Sequence, residues 1–417
     1  MTTPAALIWT ICFAATAGVI VRPFRLPEAT WAVAGAALLL LFGLIPAADA
    51  LHAVRKGTDV YLFLIGMMLL SEAARREELF DWLAQHAVVH ARGSSPRLFA
   101  LIFAVGTLVT IFLSNDATAV VLTPAVYAAA KKAKIDPLPM LFACAMIANA
   151  ASFVLPISNP ANLVLYGGHM PPLGAWLASF TLPSILSIAA TYAALRFVER
   201  DRLRGAVASD IAMSALTRGG RVALAGIACT AVLLLAVSAF DRPLGLWTCI
   251  AGACTAGGTL LFRREAPWRL LRSIAWGILP LVAGLFVLVE ALDRSGLVAL
   301  LASLLREAVS IAPDRAAFGS ATMLALATNL TNNLPAGLIA STTIAQAAPP
   351  HQVTDALLIA VDLGPNLSIT GSLATILWLS AIRREGENIS FWRFLKVGTA
   401  VMPPALLLAL GCRLALG

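Results

Sequence analysis

The stretch 66–84, GMMLLSEAARREELFDWLA, returns at 284–302 as GLFVLVEALDRSGLVALLA. Eight positions match at a constant separation of 218 residues: Gly66, Leu70, Glu72, Ala73, Arg76, Leu79, Leu83 and Ala84 recur as Gly284, Leu288, Glu290, Ala291, Arg294, Leu297, Leu301 and Ala302. Farther along, Ser114-Asn115-Asp116 recurs as Thr331-Asn332-Asn333, 217 residues on, and Ala161-Asn162-Leu163 faces Ala374-Thr375-Ile376, 213 residues on. Changes in loop length produce such a slow drift, so the chain reads as two copies of one unit.

The unit belongs in lipid. The 417 residues are 59% hydrophobic and only 12% charged, with a mean hydropathy of +0.85. A soluble chain carries roughly 25% charged residues, so this one lacks the polar surface to face water. Runs that are apolar all round, such as Ala34–Ile45 and Ile274–Val289, suit a bilayer. The net charge of +8 sits in short loops between such runs, which excludes a nucleic-acid partner. No phosphate-binding loop of the G-x-x-x-x-G-K-[ST] type occurs, so the chain is not its own ATPase. Cys12, Cys144, Cys229, Cys249, Cys254 and Cys412 show no metal-ligand spacing; no metal or cofactor is expected. His52, His86, His90, His169 and His351 fall in loops and surface helices, which leaves an intramembrane enzyme without support.

Each copy reads as three spans, a hairpin, a broken span and a last span. The first half has spans at 5–21, 28–45 and 58–74, an amphipathic surface helix at 77–90, a hairpin at 97–130, a broken helix at 137–167 and a last span at 174–198. The second has spans at 221–239, 243–262 and 274–292, a hairpin at 316–346, a broken helix at 353–380 and a last span at 391–415. Residues 1–205 thus form the first repeat, 206–220 a cytoplasmic linker and 221–417 the second repeat. Hairpins that re-enter without crossing leave five crossings per half, and an odd number inverts the second half. With the N-terminus outside, all but seven of the 30 Lys and Arg lie in cytoplasmic loops, as the positive-inside rule requires. The expected fold is an all-α membrane protein of two inverted-topology repeats, with about ten transmembrane helices plus two re-entrant hairpins and broken helices.

Inverted repeats with interrupted helices set a substrate site near the midplane, at the repeat interface. The polar residues gather at those interruptions. The first hairpin tip holds Ser114, Asn115, Asp116 and Thr118; the first broken helix holds Asn149, Ser158, Asn159 and Asn162. The second tip holds Thr331, Asn332 and Asn333; the second broken helix holds Asp362, Asn366, Gly371, Ser372 and Thr375. Capping and turn formation alone would also use such residues, but these turns lie deep within apolar flanks. An intramembrane acid is a functional candidate by default. Asp116 aligns with Asn333 and Asn149 with Asp362, so each half carries one Asp and one Asn in exchanged positions. Asp116 and Asp362, with Asn149, are the candidates for proton or cation coupling; the alternative is that each Asp caps its half-helix. Glu72 and Glu290 precede Arg76 and Arg294 by four residues and read as structural helix pairs.

At these interruptions the chain resembles the bacterial arsenite efflux permeases. The stretches that carry the likeness are LSNDATAVVLTP (113–124), IANAASFVLPISNPANLVL (147–165), ATNLTNNLPAG (327–337) and VDLGPNLSITGSLATILW (361–378). The permeases belong to a wider ion-transporter superfamily that includes sodium–dicarboxylate symporters, sodium–proton antiporters and silicon exporters. Arsenite permeases usually carry an acid where this chain has Asn149. Dicarboxylate symporters typically show Ser-Asn-Thr in each half, where this chain has Ser114-Asn115-Asp116 and Thr331-Asn332-Asn333.

The resemblance implies a multi-pass protein of the bacterial inner membrane that exports arsenite and antimonite, driven by protons. The tip and break residues named above, other than Asp116, Asn149 and Asp362, would bind substrate. It leaves open a soluble ATPase docked on the cytoplasmic loops and a homodimer. The chemistry agrees: trivalent arsenic in water is a small neutral trihydroxide, which wants alternating donors and acceptors of the kind Asn, Ser and Thr supply. A sodium-coupled anion or dicarboxylate symporter, a sodium–proton antiporter and a passive channel remain as other readings.

Overall fold

The computed structural model describes residues 3–167, 170–205, 207, 215–263 and 266–417. His169 and most of the expected linker at 206–220 lie outside the described residues. The described residues form helices joined by short turns and extended linkers, without a strand. Thr3–Val21, Ser95–Phe112, Leu173–Val198, Arg218–Ala239, Gly245–Arg263 and Phe391–Ala415 are each long and apolar enough to cross a membrane. Two bent pairs, Ala47–Lys56 with Thr58–Arg76 at 48° and Pro267–Ser273 with Ile278–Arg294 at 45°, raise the number to eight. The ten-span arrangement adds Glu28–Leu41 and the two broken spans, and takes Ser95–Phe112 as a hairpin arm.

The broken spans are Leu138–Ala150 with Pro160–Tyr166, and His351–Leu363 with Leu373–Arg384. The second hairpin is Pro313–Thr331 with Asn333–Ala347. Ala47–Lys56 and Pro267–Ser273 fall where the sequence reading had loops. Leu79–His90 also has a counterpart, Leu297–Ile311. Among the described residues, each long helix of one half therefore has its equivalent in the other.

The inversion is visible in two reciprocal contacts. Glu72, near the end of Thr58–Arg76, accepts a hydrogen bond from the Ser273 hydroxyl, at the start of the other half's bent span. Its equivalent Glu290, near the end of Ile278–Arg294, receives the Lys56 ammonium at 2.9 Å, at the start of the first half's bent span. Each third span ends where the other begins, so the two run antiparallel. This geometry also corrects the expected helix pairs. Glu72 does bind Arg76 at 3.3 Å, together with Arg75 at 2.7 Å. Glu290 instead turns to Lys56, and Arg294 pairs with Asp49, because the antiparallel crossing brings both partners from Ala47–Lys56 to that end.

Two bundles result. In one, Thr58–Arg76 packs on Gly245–Arg263 and Ile278–Arg294 packs on Glu28–Leu41. The third span of each half thus lies against the second span of the other. Small residues set this approach, as they must where lipid supplies no hydrophobic drive between helices. A Cβ at Gly66 would collide with the Thr248 carbonyl, and one at Gly252 with the Gly66 carbonyl. In the other bundle, each hairpin's first arm packs on the broken span that follows it, and Leu173–Val198 packs on Phe391–Ala415. Here Leu138–Ala150 and His351–Leu363 are buried almost end to end, so their polar members Asn149, Asp355 and Asp362 are buried with them.

Candidate functional site

The first hairpin turns because Leu113 ends one helix and Ser114 is extended, with φ −178° and ψ 165°. The Ser114 hydroxyl accepts from the Ala117 amide at 3.1 Å, an N-cap that starts the return arm. Asn115 accepts from the Asp116 amide at 2.9 Å through its side-chain oxygen. A wide π-helical turn follows at Thr118–Leu122, and the Thr123 hydroxyl donates to the Thr118 carbonyl it frees, at 3.0 Å. Thr118 itself shares a hydrogen bond with Thr110 at 2.9 Å. The second hairpin turns on one residue: Asn332 has φ 74° and ψ 154°, positive φ being a conformation in which Asn is enriched. Its side chain accepts from the Leu334 amide and donates to the Thr370 carbonyl, both at 3.4 Å.

Several predicted site residues hold the breaks open. Asn162 donates to the carbonyls of Ser152, Leu155 and Pro156 at 3.0 to 3.3 Å. Ser158 donates to the Ile111 carbonyl at 3.0 Å, tying the first break to the first hairpin. Ser372 and Thr375 cap each other, and Thr375 also donates to the Ile369 carbonyl at 2.9 Å. Thr331 donates to the Ala327 carbonyl at 3.0 Å. Asn329, which the sequence does not single out within ATNLTNNLPAG, organises the second break. It donates to the Gly364 carbonyl at 3.0 Å and accepts from the amide and hydroxyl of Ser368, at 3.0 and 2.9 Å. The signal was an Asn one turn before the tip, which helical spacing alone did not distinguish.

Other residues join the halves. Asn149 donates to the Asn366 side-chain oxygen at 3.0 Å, and Asn366 donates to the Met146 carbonyl at 2.9 Å. Asn159 donates to Asp362 Oδ1 at 2.7 Å while accepting from the Ala161 amide at 3.0 Å. Within the second half, the Asn333 backbone N–H donates to the Gly371 carbonyl at 2.8 Å. A Cβ at Gly371 would meet Pro365 Cα at 2.5 Å, so only glycine fits that approach. Asp362 is fully buried, and its Oδ2 has no hydrogen-bond partner.

Asn115, Asp116, Asn159 and Asn333 meet around one small recess, walled by Leu64, Pro160, Ile278, Leu334, Leu373 and Ala374. Both halves contribute. Asn333–Ala347 and Leu373–Arg384 begin there, so their N-termini face it. The recess is the floor of a cavity of about 1140 Å³ that runs from Ser114 and Asp116 to exposed Arg75, Arg263, Arg269 and Arg384. Among the described residues, no Lys or Arg lines the floor. Asn333 Oδ1 is buried without a partner. Asn332 and Ser372, expected at the site, support it from behind through the bonds above.

The citrate transporter model, CitMHS, matches residues 7–364. The chain belongs to the CitMHS family. It is 30% identical over 402 residues to the arsenical pump membrane protein of Yersinia enterocolitica, covering 90% of each chain. It is 28% identical over 419 residues to the arsenical pump membrane protein of Escherichia coli K12, covering 94% of each. The crystal structure of the Alcanivorax borkumensis YdaH transporter shares its fold, with a TM-score of 0.59 at 17% identity over 99% of this chain and 98% of that one. Like these CitMHS-type relatives, the protein is a multi-pass membrane transporter and not an enzyme.

Proposed function

We propose that the protein exports arsenite and antimonite from the cytoplasm of a bacterium across its inner membrane, by proton antiport with alternating access. The observation that carries this reading is the floor of the cavity: three amide side chains and one carboxylate, with no cation. A neutral trihydroxide finds donors in Asn115 and Asn333 and acceptors in Asn333 and Asp116. A di- or tricarboxylate would face the Asp116 carboxylate without a basic partner. The citrate reading that the family name suggests is supported by the helix N-termini at the floor, which favour anions; the carboxylate weighs against it. The cavity mouth carries the basic residues, which the positive-inside rule assigns to the cytoplasm, so the cavity faces the compartment from which arsenite is removed. Asp116 at the floor and Asp362 behind Asn159 are the groups that would carry the proton. Residues 1–205 and 221–417 would be the two repeats, joined by a cytoplasmic linker, and a soluble ATPase partner would dock on the cytoplasmic loops. Arsenite uptake into everted vesicles tests the reading. Accumulation should follow an imposed pH gradient and ignore a sodium gradient; citrate uptake in place of arsenite uptake would overturn it.

A further inference from the structure

Asn159 and Asp362 form one of two polar rungs between the same pair of helices. The second rung lies at 166 and 355: the Tyr166 hydroxyl donates to Asp355 Oδ1 at 2.6 Å. Both rungs pair residues of Pro160–Tyr166, or its cap Asn159, with residues of His351–Leu363. From 159 to 166 and from 362 to 355 is seven residues each way, so the helices run antiparallel and the rungs lie two turns, about 10.5 Å, apart. Arg413, on the last helix, closes the second rung: its Nε and Nη2 reach Asp355 Oδ2 at 2.8 and 2.7 Å. Asp355 and Arg413 are 3% and 4% exposed. Arg413 also donates to the Gly417 main-chain oxygen at 3.3 Å. Asp314 and Arg315, on the neighbouring hairpin arm, point to the exposed surface. The triad stands at the end of the bundle away from the cavity mouth and lines neither the recess nor the cavity above it.

A buried ion pair is weak evidence for stability, because desolvation offsets its attraction; such pairs are best attested as devices that fix register. Here the register matters. One helix carries Asp362 at its inner end, the other ends inward on Asn159. A slide of one residue along the pair, about 1.5 Å, would separate donor from acceptor. We propose that Tyr166, Asp355 and Arg413 are positioning residues that lock the two half-helices in register and so hold Asp362 on Asn159. The proposal rests on Asp362 carrying the proton.

The experiment is the pH profile of arsenite accumulation in everted vesicles for the intact chain, Asp362→Asn, Asn159→Ala, Tyr166→Phe and the double variant of the last two. Tyr166→Phe leaves the Asp355–Arg413 pair intact, so the protein should reach the membrane; Arg413→Lys, which keeps the charge, is a second variant. Expected is a displacement of the pH midpoint in the same sense for Asn159→Ala and Tyr166→Phe, with the double variant displaced no further than the larger single. A Tyr166→Phe midpoint equal to that of the intact chain, while Asn159→Ala shifts, overturns the register lock and leaves the transport reading standing. Shifts that add in full also overturn it. If neither Asn159→Ala nor Asp362→Asn alters the profile, proton coupling at Asp362 fails and the register proposal fails with it.

Discussion

Replacing Asp362 with Asn separates shape from titration at one atom. The residue is fully buried, and Oδ1 accepts from Asn159 at 2.7 Å. An Asn offers the same oxygen at the same place. Its new amide nitrogen takes the position of Oδ2, which has no hydrogen-bond partner. A hydrogen bond to a charged group contributes about 1.5–3 kcal/mol and a neutral one about 0.5–1.5, so the fold loses on the order of 1 kcal/mol and should survive. The loss of drive is larger. At a membrane potential of about 150 mV a single proton supplies about 3.5 kcal/mol. At about 1.4 kcal/mol per tenfold, that sustains an arsenite gradient of roughly 300-fold. Asp362→Asn should collapse accumulation in everted vesicles toward equality while leaving arsenite exchange across the membrane measurable. The matching Asp116→Asn variant separates the two acids. If both variants still concentrate arsenite when only a pH gradient is imposed, the coupling argument from these two carboxyls is refuted.

Three further outcomes are expected. Asn115→Ala and Asn333→Ala should each remove one or two hydrogen bonds to substrate, about 0.5–1.5 kcal/mol apiece, and raise the arsenite KM several-fold at unchanged membrane content; an unmoved KM in both would exclude the floor as the binding site. Gly66→Leu should drive a side chain into the Thr248 carbonyl and overpack the crossing by about 1–3 kcal/mol or more, seen as a lower Tm in detergent, whereas Gly257→Ala, in open space, should leave Tm unchanged. A periplasm-active reporter fused at the C-terminus should be active and one inserted within 206–220 silent; the reverse pattern would overturn the orientation.

The polar tips and breaks were legible because polar residues in an apolar run have few uses. Ser114, Asn115, Asn149, Asn159 and Asp362 stood out on that ground alone. Their division of labour was not legible. Asn332 and Asn333 are neighbours of one type, and only the positive φ at Asn332 turns its side chain back to Thr370 and leaves Asn333 at the floor. Asn329 looked like any helical residue, since its partners Gly364 and Ser368 lie 35 and 39 positions away. Glu290 and Arg294 had the spacing of a helix pair, but spacing says nothing of competitors, and Lys56 lies 234 residues distant. The triad of Tyr166, Asp355 and Arg413 spans 189 and 58 positions and has no local pattern at all.

The exchange of packing partners between the halves bears on how the chain is made. Gly66 enters the membrane early, but the helix it must lie against follows roughly 180 residues later. At synthesis speeds of about 5–20 residues per second, that wait lasts roughly 10–40 s. Throughout it the bare glycine face of Thr58–Arg76 has lipid or the insertion machinery as its neighbour. Biogenesis therefore ends in a late assembly step, in which the second half closes into a gap held by the first. A chain that stops after residue 205 is an unfinished interface, and cellular quality control would meet it as an orphan.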